Sequence, residues 1–392
     1  MPVNFDAIIL GAGAAGLMCA ARAGARGRSV LVVDHAESVG KKILISGGGR
    51  CNFTNVGAVA ERFISKNPHF AKSALGRFTP QDFIAMVDDF QIAWHEKTLG
   101  QLFCDGSSRQ IVDMLVCACT MPTVTITTCM SVTEISHHDG MFDLVIGGKR
   151  YQCASLVIAT GGPSIPKMGA SGFAYEIARQ FGLKVIEPRP ALVPLTLGGE
   201  EILFRELSGV AAPTRVRCGK TRFDEASLFT HRGLSGPAIL QISSYWRHGD
   251  NIGIDFLPGE DATALLLAAK RASPKSTVRA QLAGHLPARL AEALAERLNG
   301  RGNLADTPDR WLSDAGAQLN DWTFTPNGTE GFAKAEVTIG GIDTDGLNQT
   351  TLAAKHLPGL FAIGEAVDVT GWLGGYNFQW AWASGAAAGE AV

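Results

Sequence analysis

Residues Phe5–Asp34 read FDAIILGAGAAGLMCAARAGARGRSVLVVD. Ala7–Leu10 is a short unbroken apolar run, the pattern of a parallel strand covered on both faces. Gly11-x-Gly13-x-x-Gly16 follows without a gap, Ala14–Ala25 is an alanine-rich helical segment, and Ser29–Val33 is a β-branched strand ending in Asp34. A lone GxGxxG says little. This one closes a strand, opens a helix and precedes a carboxylate 23 positions after Gly11, the setting a dinucleotide requires. Gly11 permits the tight turn, Gly13 lets a pyrophosphate approach the backbone, and Gly16 lets helix and strand touch. Ala14 and Ala15 then offer free N–H groups at the positive helix end. Asp34, with His35 beside it, is assigned to the adenosine ribose, where its charge disfavours a 2′-phosphate.

Four later segments favour FAD over NAD. Leu156–Gly162, LVIATGG, is a buried strand that returns Ala159, Thr160, Gly161 and Gly162 to the cofactor. Val124–Ile135 reads as a strand continuing toward a meander (Phe142–Ile146, Arg150–Cys153), with the backbone near Val132 at the adenine. Gly359–Asp368, GLFAIGEAVD, gives a strand, then Gly364-Glu365, then Asp368 for ribitol hydroxyls. Gly371–Gly389 opens with Gly374 and Gly375 and becomes an alanine-rich helix whose first residues, Tyr376, Asn377 and Gln379, are counted with the cofactor. FAD is long, so both chain ends must fold into one domain to reach its two ends. An NAD domain is usually complete within one contiguous stretch.

That assignment explains Gly40–Asn55, GKKILISGGGRCNFTN, a costly glycine run just past the second strand. It reads as a loop in which Ser46, Gly47, Gly48 and Gly49 lie against the pyrophosphate–ribitol section and donate backbone hydrogen bonds. Lys41, Lys42 or Arg50 supplies positive charge to the diphosphate or to the N1–C2=O edge of the ring. Asn52 is placed at the pyrimidine edge. No Gly-Lys-Ser/Thr closes the run, so it is not a Walker A loop. Cys51 has no neighbouring cysteine partner, so its expected role is packing or cofactor lining, with a nucleophilic or proton-donor role as the alternative.

Composition narrows the function classes. Net charge is −2, so nothing calls for a nucleic acid or an anionic membrane. Arg215, Arg217, Lys220 and Arg222 cluster, as do Lys270, Arg271, Lys275 and Arg279; a solvated basic face is the expected reading, an RNA or anionic-substrate surface the alternative. The eight cysteines show no C-x-x-C pair and no zinc spacing, so no metal is expected. Neither a signal peptide nor a membrane span is expected, and the cytoplasm is the default location.

The set GAGAAG, GKKILISGGGRCNFTN, ATGGPSIPKMGASG, LFTHRGLSGPAIL and GEAVDVTGWLGGYNFQWAWASG resembles the HI0933-like bacterial flavoproteins, and the resemblance spans essentially the whole chain. It implies an FAD-binding oxidoreductase: α/β, with a Rossmann-like, glutathione-reductase-type FAD domain interrupted by a second domain. One element departs from the family pattern. Where many relatives have Glu-x-x-Gly-Arg-x-Phe-Pro, this chain has Glu96 through Cys104 with Gln101 in place of arginine and Cys104 in place of proline.

After Pro188-Arg-Pro190 the composition shifts. Short alternating strands (Ala191–Leu197, Thr214–Arg217, Gly253–Phe256) and then helical periods (Ala262–Ala272, Val278–Leu298) read as an inserted β-rich plus helical domain. The expected organisation is FAD domain 1–190, insert 191–334, FAD domain 335–392, with Ala335–Ile342 as the returning strand. Within LFTHRGLSGPAIL, Thr230 and His231 are candidate substrate contacts, and His231 is a candidate general acid beside the structural reading. Gly233-Leu-Ser235-Gly236 lacks hydrolase-elbow spacing. No second GxGxxG follows a strand, so NADH or NADPH would dock transiently as electron donor.

The expected activity is hydride transfer at the N5 of a non-covalently bound FAD, to or from a small-molecule substrate. An rRNA dihydrouridine synthase is the enzymatic alternative, and a non-catalytic flavin redox sensor the alternative of another class. Oligomeric state is left open.

Overall fold

The computed structural model describes residues 2–300 and 302–392, at 200, 202 and 203 by backbone alone. It divides into two compact units, Met1–Arg189 with Val337–Val392, and Pro190–Glu336.

The first unit is built on a parallel sheet. Val124–Thr127, Val30–Val33, Val3–Leu10 and Lys149–Ile158 lie side by side in that order, all parallel. Lys149–Ile158 changes partner along its far edge. Lys149–Cys153 pairs antiparallel with Met141–Ile146, whereas Leu156–Ile158 pairs parallel with Leu360–Ala362 from the other end of the chain. Val30–Val33 and the ends of the next two strands, Ala7–Leu10 and Leu156–Ile158, are apolar and buried, as two-sided coverage demands, while the first residues of those two strands reach solvent.

Two small-residue helices cross on one face. A Cβ on Gly385 would sit 2.5 Å from Ala15 O, and one on Gly389 2.6 Å from Cys19 O. Both pairs are four apart, so one groove on Tyr376–Gly389 receives one ridge of Ala14–Ala25 with backbones in contact. Alanine and glycine are there because nothing larger fits. Nearer the start of the C-terminal helix, Trp382 is stacked on Phe83 at 4.4 Å with its indole N–H donated to Phe53 O.

Two segments of this unit differ from their sequence reading. Val124–Ile135 is two strands, Val124–Thr127 and Val132–His138. Between them Cys129 N–H and Met130 N–H turn aside to bond Ala36 O and Asp34 O, and Cys129 takes a left-handed φ of 56°. Gly40–Asn55 is no open loop: Lys41–Ile45 is one helical turn, Ser46–Gly49 a 3₁₀ turn and Asn52–Asn55 a strand. That strand joins Gln101–Cys104 and Trp94–Glu96 in a small antiparallel sheet.

The unit Pro190–Glu336 is a seven-stranded antiparallel sheet around the hairpin Ala211–Cys218/Thr221–Phe229. Its core is aromatic: Phe204, Phe229, Phe256, Trp322 and Phe324. The expected strand Ala191–Leu197 is broken, because Leu192 takes φ 48° and only Leu195–Thr196 joins this sheet. Val278–Leu298 is likewise two helices, Val278–Leu282 and Ala288–Arg297. Pro287 stands at the break, where its ring and missing N–H stop a continuing helix.

Candidate functional site

Everything in this site belongs to the first unit. The glycine turn is compressed on one side and open on the other. A Cβ on Gly16 would fall 1.9 Å from Gly11 O, and one on Gly11 2.5 Å from Ala159 O, whereas one on Gly13 would meet nothing within 4 Å. Gly13 is therefore the position where a ligand can reach backbone. Gly364 closes the same corner, its hypothetical Cβ 2.9 Å from that of Ala15. Asp34 holds the turn in shape, one carboxylate oxygen accepting from Ala12 N–H and the other from Ala36 N–H, both at 2.8 Å. His35 lies mostly in solvent beside Gly169. Val132 starts its strand two residues beyond Met130, whose N–H bonds Asp34 O.

A charged cluster follows at the strand ends. Lys42 Nζ lies 2.6 Å from Glu365 Oε2 and also bonds Ser164 Oγ. Ser164 Oγ donates to Glu365 Oε1 at 2.7 Å, and Thr338 N–H to the same oxygen at 2.9 Å. Burial alone would push the Glu365 carboxyl up, but the Lys42 charge and these hydrogen bonds more than offset it, and the net position is below the ordinary 4.5. Gly161 faces this carboxylate, with a hypothetical Cβ 3.9 Å from Oε2.

Beside Gly162 are polar groups that the protein does not satisfy. Thr160 Oγ1, Thr338 Oγ1 and Tyr175 Oη are buried without a protein partner, and a Cβ on Gly162 would lie 2.6 Å from Thr338 Oγ1 and 3.0 Å from Tyr175 Oη. Burial first, then the carboxylates of Glu365 and Asp368, push the Tyr175 phenol up, so it stays protonated. Asp368 is buried, accepts from Lys66 N–H at 2.9 Å and is raised, chiefly by burial. Buried hydroxyls are ordinarily bonded. An open glycine at a helix start with orphaned hydroxyls at the neighbouring strand end suits a ligand with a diphosphate and a polyol, which FAD is. Ser164, Tyr175 and Thr338 escaped the sequence reading; only Ser164, next to the ATGGP turn, had a signal.

A second group gathers at the start of the C-terminal helix. The Asn52 and Gln101 amides are hydrogen-bonded at 2.8 Å, Gln101 packs on Gly374, and Asn55 donates to Gly374 O at 2.9 Å. Gly375 is pressed against Thr54 O, where any Cβ would be 2.3 Å away. Gln101, the departure from the family pattern, thus contacts both the Asn52 strand and the helix-opening turn. Gly47, Gly48 and Gly49 have φ of 56°, 67° and 85°, and Cβ atoms on Gly48 and Gly49 would meet nothing. Arg50 is exposed, and the Ser46 hydroxyl donates to Ile43 O.

Other assigned side chains are engaged in packing. Asn377 ties down Gly371 through both amide atoms, and Tyr376 is buried with its hydroxyl accepting from Arg62 at 2.6 Å. Gln379 is fully buried, accepting from Thr54 Oγ1 at 2.6 Å and donating to Phe78 O at 2.8 Å. Gln379→Leu strands both partners and should cost about 3 kcal/mol in chemical denaturation, since each unsatisfied buried group costs about 1–3 kcal/mol. His231 lies exposed on a turn of the other unit, beside Thr230, whose hydroxyl accepts from Arg232 and Gly233 N–H groups.

Cys51 is fully buried and takes φ 51°. Burial pushes its thiol up to about 12, with a bond to Ser46 opposing and Cys104 adding to the rise. A thiol that far above neutrality supplies no thiolate. Cys51→Ala should keep the wild-type turnover number per bound flavin, with no thiol limb in the pH–rate profile between about pH 7 and 9.

The fold and this cradle define a Rossmann-type flavoenzyme, an FAD-dependent oxidoreductase rather than a non-catalytic module. The HI0933-like protein Rossmann domain model matches residues 5–391, and the chain belongs to that family. It is 51% identical over 390 residues to the "Ribosomal RNA dihydrouridine synthase" of Escherichia coli (strain K12), covering 97% of this chain and 96% of the relative. It is 30% identical over 409 residues to the "3-dehydro-bile acid delta(4,6)-reductase" of Clostridium scindens, covering 98% of both chains. A 3-ketosteroid-delta4-(5alpha)-dehydrogenase from Rhodococcus jostii RHA1 shares the fold, with a TM-score of 0.50 at 14% identity over 99% of this chain and 97% of that one. Among the described residues no helix is long and apolar enough to cross a membrane.

Proposed function

We propose that this protein reduces the C5–C6 double bond of a uridine in ribosomal RNA, with NADH or NADPH as the source of electrons. The observation that carries the reading is likeness at 51% identity along nearly the full length of a protein named for that reaction. The alternative weighed from the sequence thereby becomes the main reading, and unspecified small-molecule chemistry yields to it. The bile-acid reductase is the more distant relative, at 30%. Ribosomal RNA as substrate also agrees with a cytoplasmic location.

FAD, when bound, supplies hydride chemistry at its N5. The chain's own part is to hold and orient that group. The Gly11–Gly16 turn and the N–H groups of the first helix face the diphosphate, and Asp34 keeps the turn in shape. Thr160, Thr338 and Tyr175 offer hydroxyls to the polyol, and Lys42 with Glu365 fixes the strand ends around it.

The test is ribosomal RNA from a strain lacking the gene, incubated with purified holoprotein and either nicotinamide dinucleotide, then digested and analysed by mass spectrometry. A two-mass-unit gain on one uridine supports the reading; flavin oxidation with an enone and none with RNA overturns it.

A further inference from the structure

The unit Pro190–Glu336 carries sixteen Lys and Arg against seventeen Asp and Glu, so it attracts RNA through no net charge. The basic clusters seen in the sequence are partly neutralised in place. Arg215 pairs with Asp224, Arg217 with Asp321, Lys270 with Asp309 and Arg279 with Glu292. Four of the eight cluster cations are thus already committed to carboxylates, and a phosphate contact is better sought elsewhere in this unit.

One depression, of about 400 Å³, offers it. Arg205, Arg232, Thr196, Asn327 and Glu330 line it. Arg205 is anchored by one nitrogen, Nη2, on Leu197 O, while its buried Nε has no protein partner. That Nε is closed off from solvent, so what Arg205 can present to a ligand in the depression is the rest of its guanidinium fork. Arg232 Nη1 stands 3.5 Å from Glu330 Oε2, a carboxylate that is only 9% exposed, while Arg232 itself is 59% exposed. Thr196 Oγ1 donates to Asn327 Oδ1 at 2.6 Å, so what Asn327 has left to offer is its donor NH₂ group. Two guanidinium groups against one carboxylate leave the lining with a net positive charge and an excess of donors.

We propose that this depression is a subsite for a phosphate ester, held by Arg205 and Arg232. Donors arranged on planar guanidinium forks match an anion with several acceptor oxygens better than a single-acceptor ligand. The volume is enough for a phosphate with its sugar. On the rRNA reading, on which this source rests, the ester is a backbone phosphodiester of the substrate strand. The same chemistry could be a phosphate of the nicotinamide dinucleotide, and the experiment separates the two.

Wild-type holoprotein, Arg205→Lys, Arg232→Gln and Glu330→Gln are compared for binding of a single-stranded RNA oligonucleotide at several KCl concentrations, and for NADPH and NADH KM. Arg205→Lys and Arg232→Gln should each weaken RNA binding about 5–10-fold; Arg232→Gln removes a charge and should make the slope of log K against log[salt] shallower by about 0.7, whereas Arg205→Lys keeps the charge and should leave the slope nearly unchanged. Glu330→Gln frees Arg232 and should tighten RNA binding several-fold, a gain that misfolding cannot mimic. If the ester belongs to the dinucleotide, the same variants move the NADPH or NADH KM in those directions and leave RNA binding alone. Wild-type values in both assays for all three variants, with flavin content unchanged, overturn the subsite. Wild-type protein that neither retains nor modifies RNA overturns the rRNA reading, and the KM values then decide the subsite by themselves.

Discussion

Lys42→Met is expected to unfold or empty much of the protein. It leaves the buried Glu365 carboxylate facing Ser164 and Thr338 N–H with no countercharge. Breaking a fully buried pair costs about 3–5 kcal/mol; Lys42 keeps 34% of its side chain exposed, so the expected loss is nearer about 2–3 kcal/mol. Urea denaturation of the flavin-free protein reads that loss, and bound-flavin absorbance reads the accompanying loss of cofactor. Glu365→Gln keeps the shape without the charge and should cost less.

The pair also sets an acid limit. Glu365 titrates lower in the folded protein than its ordinary 4.5. Its contribution is therefore complete above that ordinary value and is lost as pH falls through the lower folded one. Wild-type stability should fall more steeply than that of Glu365→Gln in this acid window and run parallel to it above about pH 5.5.

The second large effect is a contrast within one turn. Gly16→Ala puts a methyl 1.9 Å from Gly11 O, backbone against which nothing can rotate away. Displacing the helix from the strand should cost about 3 kcal/mol. Gly13→Ala meets nothing within 4 Å and has φ −84°, open to any residue. Its apo stability should stay within about 0.5 kcal/mol of wild type. Its flavin affinity, however, should fall about 10–100-fold, because the methyl occupies the space a diphosphate needs. Equal flavin affinity in Gly13→Ala and wild type would take the diphosphate away from this turn.

The sequence was most legible where spacing alone determines geometry. Ala14–Ala25 is a helix with the expected bounds, because the glycine turn starts it and Arg26-Gly27 ends it. That both chain ends fold into one domain was readable from the length of FAD, though the Gly385/Gly389 contact with Ala15 and Cys19 needs three dimensions. Harder to read were places where a distant backbone group redirects the chain. Nothing local in VTITTCMSVTEI says that Cys129 and Met130 will bond the Asp34–Ala36 turn. In the site, glycines and charges were found by pattern. Tyr175 and Thr338 were not, since a helix tyrosine and a strand threonine carry no motif. Gln379, by contrast, sits inside a motif and spends its amide wholly on Thr54 and Phe78.

The reduction itself is tested most directly in one vessel. Purified holoprotein, NADPH or NADH, and ribosomal RNA from cells lacking the gene are mixed, and flavin reoxidation is followed beside mass analysis of the RNA. The account predicts one dihydrouridine gained per flavin turnover, all at one position. Reduced flavin that reoxidises no faster with that RNA than without it, leaving every uridine at its original mass, would contradict it.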